Sequence, residues 1–120
     1  MNKKFRGMDS SGRWHYGCLM LPNNIFNYFF IVDNNDNSHM ILGDTVGQFT
    51  GFKDSKGIEI YEGDTLTDLD GGTRQVYFCE IKGAWMLDYS FDQDKSYGDL
   101  LSENLSDFEM SINGNIHKNK

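Results

Sequence analysis

Residues 46–69 read VGQFTGFKDSKGIEIYEGDTLTDL, and they form the densest run of strand and turn signals in the chain. Residues 47–51 alternate polar and apolar side chains, which is typical of an extended strand with one buried face. The segment KDSKG then favours a turn, because Asp and Ser bond their local backbone and glycine adopts positive φ at little cost. Ile58 and Ile60 resume the apolar alternation. The stretch therefore predicts a β-hairpin.

Further turns lead from this hairpin into a predicted meander of three strands. The turn segments are EGD at residues 62–64, DLDGG at residues 68–72 and KG at residues 82–83. The strands they separate are residues 65–69, 73–81 and 84–91. Strands joined by short turns pair in sequence order, so we expect an antiparallel meander. The side chains expected in its interior are Phe49, Ile60, Tyr61, Leu66 and Phe78.

Two more hairpins are predicted before residue 46. Residues 5–9 and 13–18 flank the turn segment Ser-Ser-Gly, and residues 28–32 pair with residues 40–42 across a run of turn formers. The end of the chain predicts one short helix over residues 98–105, capped by Ser96 or Asp99, and a last strand over residues 108–112 that Asn-Gly-Asn breaks. The pattern is that of a mainly β protein, and we identify no internal repeat.

Composition limits the function classes. The chain has 120 residues, 11 basic and 18 acidic side chains and a net charge of −7, so one domain of acidic character is expected. Duplex nucleic-acid binders concentrate Lys and Arg against phosphate, and this balance disfavours that class. An acidic surface serves solubility or a basic protein partner.

The two cysteines and the N-terminus indicate a reducing, cytoplasmic setting. Cys18 and Cys79 have no CxxC or Cys/His spacing, so we expect two reduced, semi-buried thiols and no zinc site. The N-terminal segment has no signal-peptide pattern, and no apolar run approaches the length of a transmembrane helix. The prediction is a cytoplasmic protein.

The run VGQFTGFKDSKGIEIYEGDTL resembles the signature of the YopX family of phage and prophage proteins. KKFRGMDSSGRWHY is similar to the opening hairpin of that family, and LLSENLSDFEMSINGNIHKN is similar to its closing helix and strand. The chain departs from the family pattern at Met8, where a large aromatic is more frequent, and over residues 23–37. The resemblance implies a single YopX-like domain over residues 1–120, an SH3-like β-barrel with additional N-terminal strands and one short C-terminal helix. It implies no established biochemical activity.

Candidate chemical sites are few, and each has a structural interpretation. Asp92, Asp94, Ser96 and Glu103 have the spacing of positions 1, 3, 5 and 12 of an EF-hand loop. The sixth position, which requires glycine, is Tyr97, and the preceding segment predicts a strand. A solvated acidic loop is therefore the favoured interpretation, and cation binding stays open.

Other residues give no catalytic pattern. Glu62 and Asp64 could be an acid–base pair, but a turn aspartate beside glycine more often accepts backbone N–H groups. His15, His39 and His117 have no partner at ligand spacing, so we interpret them as surface side chains. No nucleophile elbow or phosphate loop occurs. We expect no enzyme activity, no cofactor and no metal.

The remaining candidate functional residues are aromatic and basic side chains that we expect at the surface. Tyr89 and Tyr97 flank the acidic loop, and Lys53 and Lys56 flank the central turn; these four residues are the candidate binding surface. Trp14, Tyr16, Tyr77 and Trp85 could line a groove, but a small barrel needs large side chains in its core.

The hypothesis drawn from the sequence is a non-enzymatic module that binds protein or itself as a homo-oligomer. The physical route is pairing of open strand edges, expected at residues 27–32 and 40–42. The alternative is a nucleic-acid-associated accessory module that uses Lys53, Lys56 and the basic residues between Lys3 and Arg6.

Overall fold

The structure is a computed structural model, and it describes residues 5–20, 29–88 and 98–117. The described residues are mainly β with one short α-helix, as predicted. The chain divides into two compact units, Met1–Phe49 and Thr50–Lys120, called here the first and the second unit.

The first unit is an antiparallel sheet. Its strands are β1 (Phe5–Met8), β2 (Trp14–Met20), β3 (Phe29–Val32), β4 (Ser38–Ile41) and the beginning of β5 (Gly47–Lys53), which continues into the second unit. A 3₁₀ turn over Gly43–Thr45 precedes β5. The strand order is β4-β3-β2-β1-β5. Both predicted hairpins are therefore confirmed, β1 with β2 and β3 with β4.

Strand β2 extends two residues beyond its predicted end at Cys18. Leu19 pairs with Ile31 and Met20 pairs with Phe30. Pairing with β3 therefore extends β2 beyond the end that the local sequence pattern predicts. The predicted residue 28 of the next strand lies outside the described residues.

Two glycines allow the strands of the first unit to approach closely. A Cβ at Gly17 would overlap the backbone carbonyl of Val32, and a Cβ at Gly7 would overlap the Ile41 side chain. Ile31 and Ile41 are buried beside these contacts. Glycine is needed at both positions because a Cβ atom would push the contacting strands apart.

The second unit contains the meander and the helix. Its strands are β6 (Glu59–Tyr61), β7 (Asp64–Thr67), β8 (Thr73–Cys79), β9 (Ala84–Asp88), β10 (Gly98–Leu100) and β11 (Ser111–Asn115), with α1 (Leu101–Asp107) before the last strand. The strand order of the main sheet is β10-β9-β8-β7-β11. Strands β7, β8 and β9 are antiparallel neighbours, so the predicted meander is confirmed. The second half of β5 neighbours β6.

The C-terminal elements differ from the prediction. Residues 98–100 form β10 and pair with β9, so the helix begins later than predicted, at Leu101. Leu100 occupies the N-cap without a side-chain bond, while Asp99 binds Arg74 instead, so capping by Asp99 is wrong. Ser96 lies outside the described residues. The expected break at Asn-Gly-Asn is a bulge between Ile112 and Gly114, after which β11 continues.

The core of the second unit is a cluster of buried apolar side chains from five elements and one connecting segment. Its members are Ile60, Leu66, Val76, Leu87, Leu101 and Met110. Tyr61 is also buried, as predicted, and Phe49 is half-buried. Phe78 was expected in the interior but is 41% exposed, with its ring edge-on to Trp85.

Sheet closure is the part of the fold prediction that is not confirmed. In the described residues the end strands β10 and β11 of the main sheet do not pair, so that sheet stays open. No helix in the described part of the chain is long and apolar enough to cross a bilayer.

Candidate functional site

Three hairpin turns share one hydrogen-bonding arrangement around an aspartate. One carboxylate oxygen of Asp9, Asp33 and Asp54 accepts N–H groups of the second and fourth residues that follow, at 2.9–3.0 Å. The fourth residue of each turn has positive φ: Gly12, Asp36 and Gly57. The turns read DSSG, DNND and DSKG. This internal repeat was missed, because two of the copies lie outside the central stretch and one has Asp in place of Gly.

In the first unit the second carboxylate oxygen of this turn binds a histidine six residues after the aspartate. Nε2 of His15 lies 2.8 Å from Asp9 Oδ2, and Nε2 of His39 lies 2.9 Å from Asp33 Oδ2. The two imidazole rings stack with centroids 3.8 Å apart. The interpretation of these histidines as separate surface residues is therefore wrong. The missed signal is the spacing D-x-x-[G/D]-x-x-H, present at residues 9–15 and 33–39.

These contacts fix the charge of the two turn carboxylates. The hydrogen bond from His15, followed by those from Ser11 and Arg13, holds the pKa of Asp9 far below its ordinary value. The hydrogen bond from His39 and that from the Asn37 backbone lower the pKa of Asp33. In the described residues no group of three or more His, Cys, Asp or Glu side chains is placed to hold a metal ion.

Strand β4 lies at the edge of the first unit's sheet. Met20, Phe30 and Met40 form one cross-strand row over β2, β3 and β4, and the two methionines are 53% and 52% exposed. Strand β3 pairs on both sides, so the predicted open edge at residues 27–32 is wrong. The predicted open edge at residues 40–42 is confirmed only in part: Met40 and Ile41 belong to edge strand β4, but the Leu42 N–H donates to the Met8 carbonyl at 2.8 Å. Cys18 is also exposed, against expectation, while Cys79 is buried.

The second unit has a groove beside α1. A cavity of about 360 Å³ is lined by apolar Met86, Leu100 and Phe108, by the acidic side chains of Asp99, Glu103 and Asp107, and by one basic side chain, that of Lys82. One flank is fixed by Arg74, whose guanidinium lies 3.0 Å from Asp99 Oδ2 and donates to the Leu87 and Asp88 carbonyls. No sequence pattern indicated this groove.

The four predicted binding residues fall into two groups. Lys53 and Lys56 are exposed on the β5–β6 hairpin. Tyr89 and Tyr97 lie outside the described residues, as do residues 92–96 of the EF-hand-like loop, so both predictions stay untested. Arg6, which belonged to the alternative basic patch, is buried with its guanidinium 4.5 Å from the centre of the Trp14 ring.

The Glu62–Asp64 turn has a structural role. Asp64 is 2% exposed, and its Oδ2 accepts the Tyr61 N–H at 2.7 Å. This geometry supports the turn interpretation over an acid–base pair. Among the other aromatic residues that were considered, Tyr77 is buried, Trp14 and Trp85 are half-buried, and Tyr16 is exposed.

Comparison with known proteins gives one match of nearly full length. The model of the YopX protein family matches residues 5–120. The match includes the central stretch and all three aspartate turns. No curated protein sequence matches the chain significantly.

Proposed function

Because the chain belongs to the YopX protein family, we propose that it is a phage- or prophage-derived protein that acts in the host cytoplasm by binding protein and not by catalysis. The first partner we propose is a second copy of the same chain. The lack of an activated nucleophile among the described residues supports the non-catalytic role. An Asp–His pair is the base half of a catalytic triad, but in the described residues neither His15 nor His39 bonds a hydroxyl or thiol group.

The observation that carries the proposal is the free edge of β4. Among the described residues Ser38–Ile41 pair with β3 alone, so the outer N–H and C=O groups of this segment bond no other described strand; the edge ends at Leu42, whose N–H donates to the Met8 carbonyl. An antiparallel β4 from a second copy satisfies these groups about a twofold axis. The row of exposed Met20, half-buried Phe30 and exposed Met40 then continues into the interface and adds buried apolar area.

Net charge predicts how salt affects this association. Each chain carries −7, so two copies repel one another at low ionic strength. Salt screens that repulsion, since the Debye length is about 10 Å at 0.1 M. Self-association through an apolar edge should therefore strengthen as salt rises. Binding to a basic partner or to nucleic acid should weaken.

Size-exclusion chromatography with light scattering tests the proposal at about 0.05 M and about 0.5 M salt. We expect a dimer that is more populated at high salt, and a monomer for Met40→Lys, which puts a charge into the edge. Ile58→Lys is the matched control, because Ile58 is 53% exposed and lies in the second unit. A strict monomer at high concentration in both salts would contradict the proposal.

A second candidate partner is a basic segment of another protein. The groove beside α1 places Glu103 and Asp107 next to apolar Met86 and Phe108, which suits a segment with alternating basic and apolar side chains. Fluorescence anisotropy of a labelled lysine–leucine peptide tests this. Glu103→Gln with Asp107→Asn should weaken binding, whereas Asp70→Asn with Glu80→Gln removes equal charge elsewhere and should not.

The nucleic-acid alternative has weaker support. Lys53 and Lys56 give one exposed basic hairpin, but the burial of Arg6 removes a charge from the other patch. Retention of DNA or RNA at low salt, lost in Lys53→Gln/Lys56→Gln, would favour this alternative. No retention at low salt would remove it.

The family also implies an SH3-like barrel, which we propose for the second unit. The meander β7–β8–β9 supports it, as do the bonds from Gly63 N–H to the Val76 carbonyl and from Ile116 N–H to the Gly63 carbonyl, which tie β8 and the end of β11 to the β6–β7 turn. Amide NOEs between the end strands in solution would support closure. Their absence from a complete assignment would contradict it.

A further inference from the structure

Two histidines of the first unit form a ring contact that joins its two hairpins. The His15 and His39 rings stack with centroids 3.8 Å apart and planes 15° from parallel. His15 belongs to β2 and His39 to β4, and β3 lies between these strands in the sheet order. Close packing of two neutral rings is attractive through dispersion. The contact therefore links strands that are not neighbours in the sheet.

Each ring is also held by the carboxylate of its own turn. His15 Nε2 and Asp9 Oδ2 are 2.8 Å apart, and His39 Nε2 and Asp33 Oδ2 are 2.9 Å apart. These bonds lower the pKa of both carboxyl groups, so both stay ionised to a lower pH than an ordinary aspartate. Imidazole can carry a proton on Nε2 in both its neutral and its charged form. The ring–carboxylate bonds therefore survive protonation of the rings.

In the part of the chain that the structure describes, the charged partners of the two rings are two carboxylates. Asp9 and Asp33 are the charged side chains within hydrogen-bond or ion-pair distance of either ring among the described residues. The register places Gly7 of β1 opposite His15 and Ile31 of β3 opposite His39, and neither residue ionises. The other charged side chains of these hairpins are Arg6 over Trp14, Arg13 in the first turn and Asp36 in the second.

We infer that the His15–His39 stack is a pH-operated clasp between the two hairpins of the first unit, closed while at least one ring is neutral and opened when both rings are protonated. Two cations at stacking distance repel one another. Each carboxylate bonds Nε2 of its own ring and offsets part of this repulsion, but the centroids of the two charged rings are 3.8 Å apart, so a net repulsion between the rings remains. Protonation of both rings therefore opens the clasp.

Opening affects one part of the first unit. The aspartate turns keep their backbone bonds, because the carboxylates stay ionised. What is lost is the ring contact that restrains β4 and the turn before it relative to β2. Edge strand β4 and residues 33–37 therefore become more mobile, while the second unit is unchanged.

NMR tests the clasp on the unaltered chain. NOEs between the His15 and His39 ring protons are measured from about pH 8 to about pH 5, together with amide exchange, corrected for the intrinsic pH dependence. We expect the ring–ring NOEs to disappear and the protection factors in β4 to fall about tenfold, with those of the second unit constant. Ring NOEs that persist when both rings are protonated would overturn the inference.

A substitution separates ring charge from ring contact. His39→Phe keeps an aromatic ring against His15 but cannot ionise, so protection in β4 should become independent of pH. His117→Phe in the second unit is the matched control and should respond to pH as the unaltered chain does. An equal loss of protection in His39→Phe would overturn the inference. If this variant does not fold, the NOE titration of the unaltered chain decides alone.

Discussion

The two units of the chain hold their sheets together by different means. In the second unit, six apolar side chains from five elements and one connecting segment pack into one buried cluster. In residues 5–20 and 29–49 the buried apolar side chains are Met8, Ile31 and Ile41. The first unit relies instead on aspartate turns, a histidine stack and glycines that admit close strand contact. Apolar volume should therefore dominate the stability of the second unit, and backbone space and charge that of the first.

Removing volume from the second unit should have the largest effect. Leu66 is fully buried on β7 within the apolar cluster. Leu66→Ala loses the transfer free energy of the side chain and leaves a cavity, so we expect the free energy of unfolding to fall by about 4 kcal/mol. Chemical denaturation followed by circular dichroism measures this.

Leu69→Ala is the matched control for that substitution. Leu69 lies three residues further along and is 82% exposed, so the same truncation removes no core contact. We expect a change within about 0.5 kcal/mol. Equal losses for the two variants would mean that the cluster does not carry the stability of the second unit.

Adding one atom to the first unit should have the next largest effect. A Cβ at Gly17 overlaps the Val32 carbonyl oxygen, which belongs to backbone and cannot turn aside. Gly17→Ala should therefore force β2 away from β3 and cost about 3 kcal/mol. Amide exchange over β2 and β3 measures the loss. Gly72→Ala adds the same methyl group in open space, and protection there should not change.

Much of the architecture could be predicted from local pattern, because alternation and turn residues act within a few positions. The hairpins, the meander and the burial of Leu66 follow in this way. Whether the side chains at the end of a strand are buried depends on segments that are distant in the sequence. Phe78, near the end of β8, was therefore wrongly expected to be buried. The stack of His15 on His39 joins residues 24 positions apart, and only the repeated turn spacing could have indicated it.

The turn aspartate can be compared directly between the units. Asp54 is buried and accepts N–H groups from Lys56, Ile58 and Ile112, whereas Asp9 and Asp33 use their second oxygen for histidine. Asp54→Ala leaves three partly buried N–H donors without their acceptor, which should cost about 2 kcal/mol in denaturation experiments.

Asp70→Ala is the control for Asp54→Ala, since Asp70 is exposed and its backbone N–H is bonded by Asp68. We expect little change in its free energy of unfolding. A loss similar to that of Asp54→Ala would show that turn composition matters more than the buried carboxylate bonds.

Acid titration should give the smallest and most selective effect, confined to the first unit. Hydrogen bonds hold the folded-state pKa of Asp9 and Asp33 below the ordinary value of 3.8, so ionised carboxylates stabilise the fold at every pH above that value. This stabilisation is lost as pH falls below 3.8 and through the folded-state values. The double variant Asp9→Asn/Asp33→Asn keeps an oxygen acceptor in each turn but cannot titrate. Amide protection in β1–β4 of this variant should fall less steeply below pH 3.8 than in the unaltered chain. An identical loss of protection in acid would mean that other carboxylates cause the acid destabilisation of this unit.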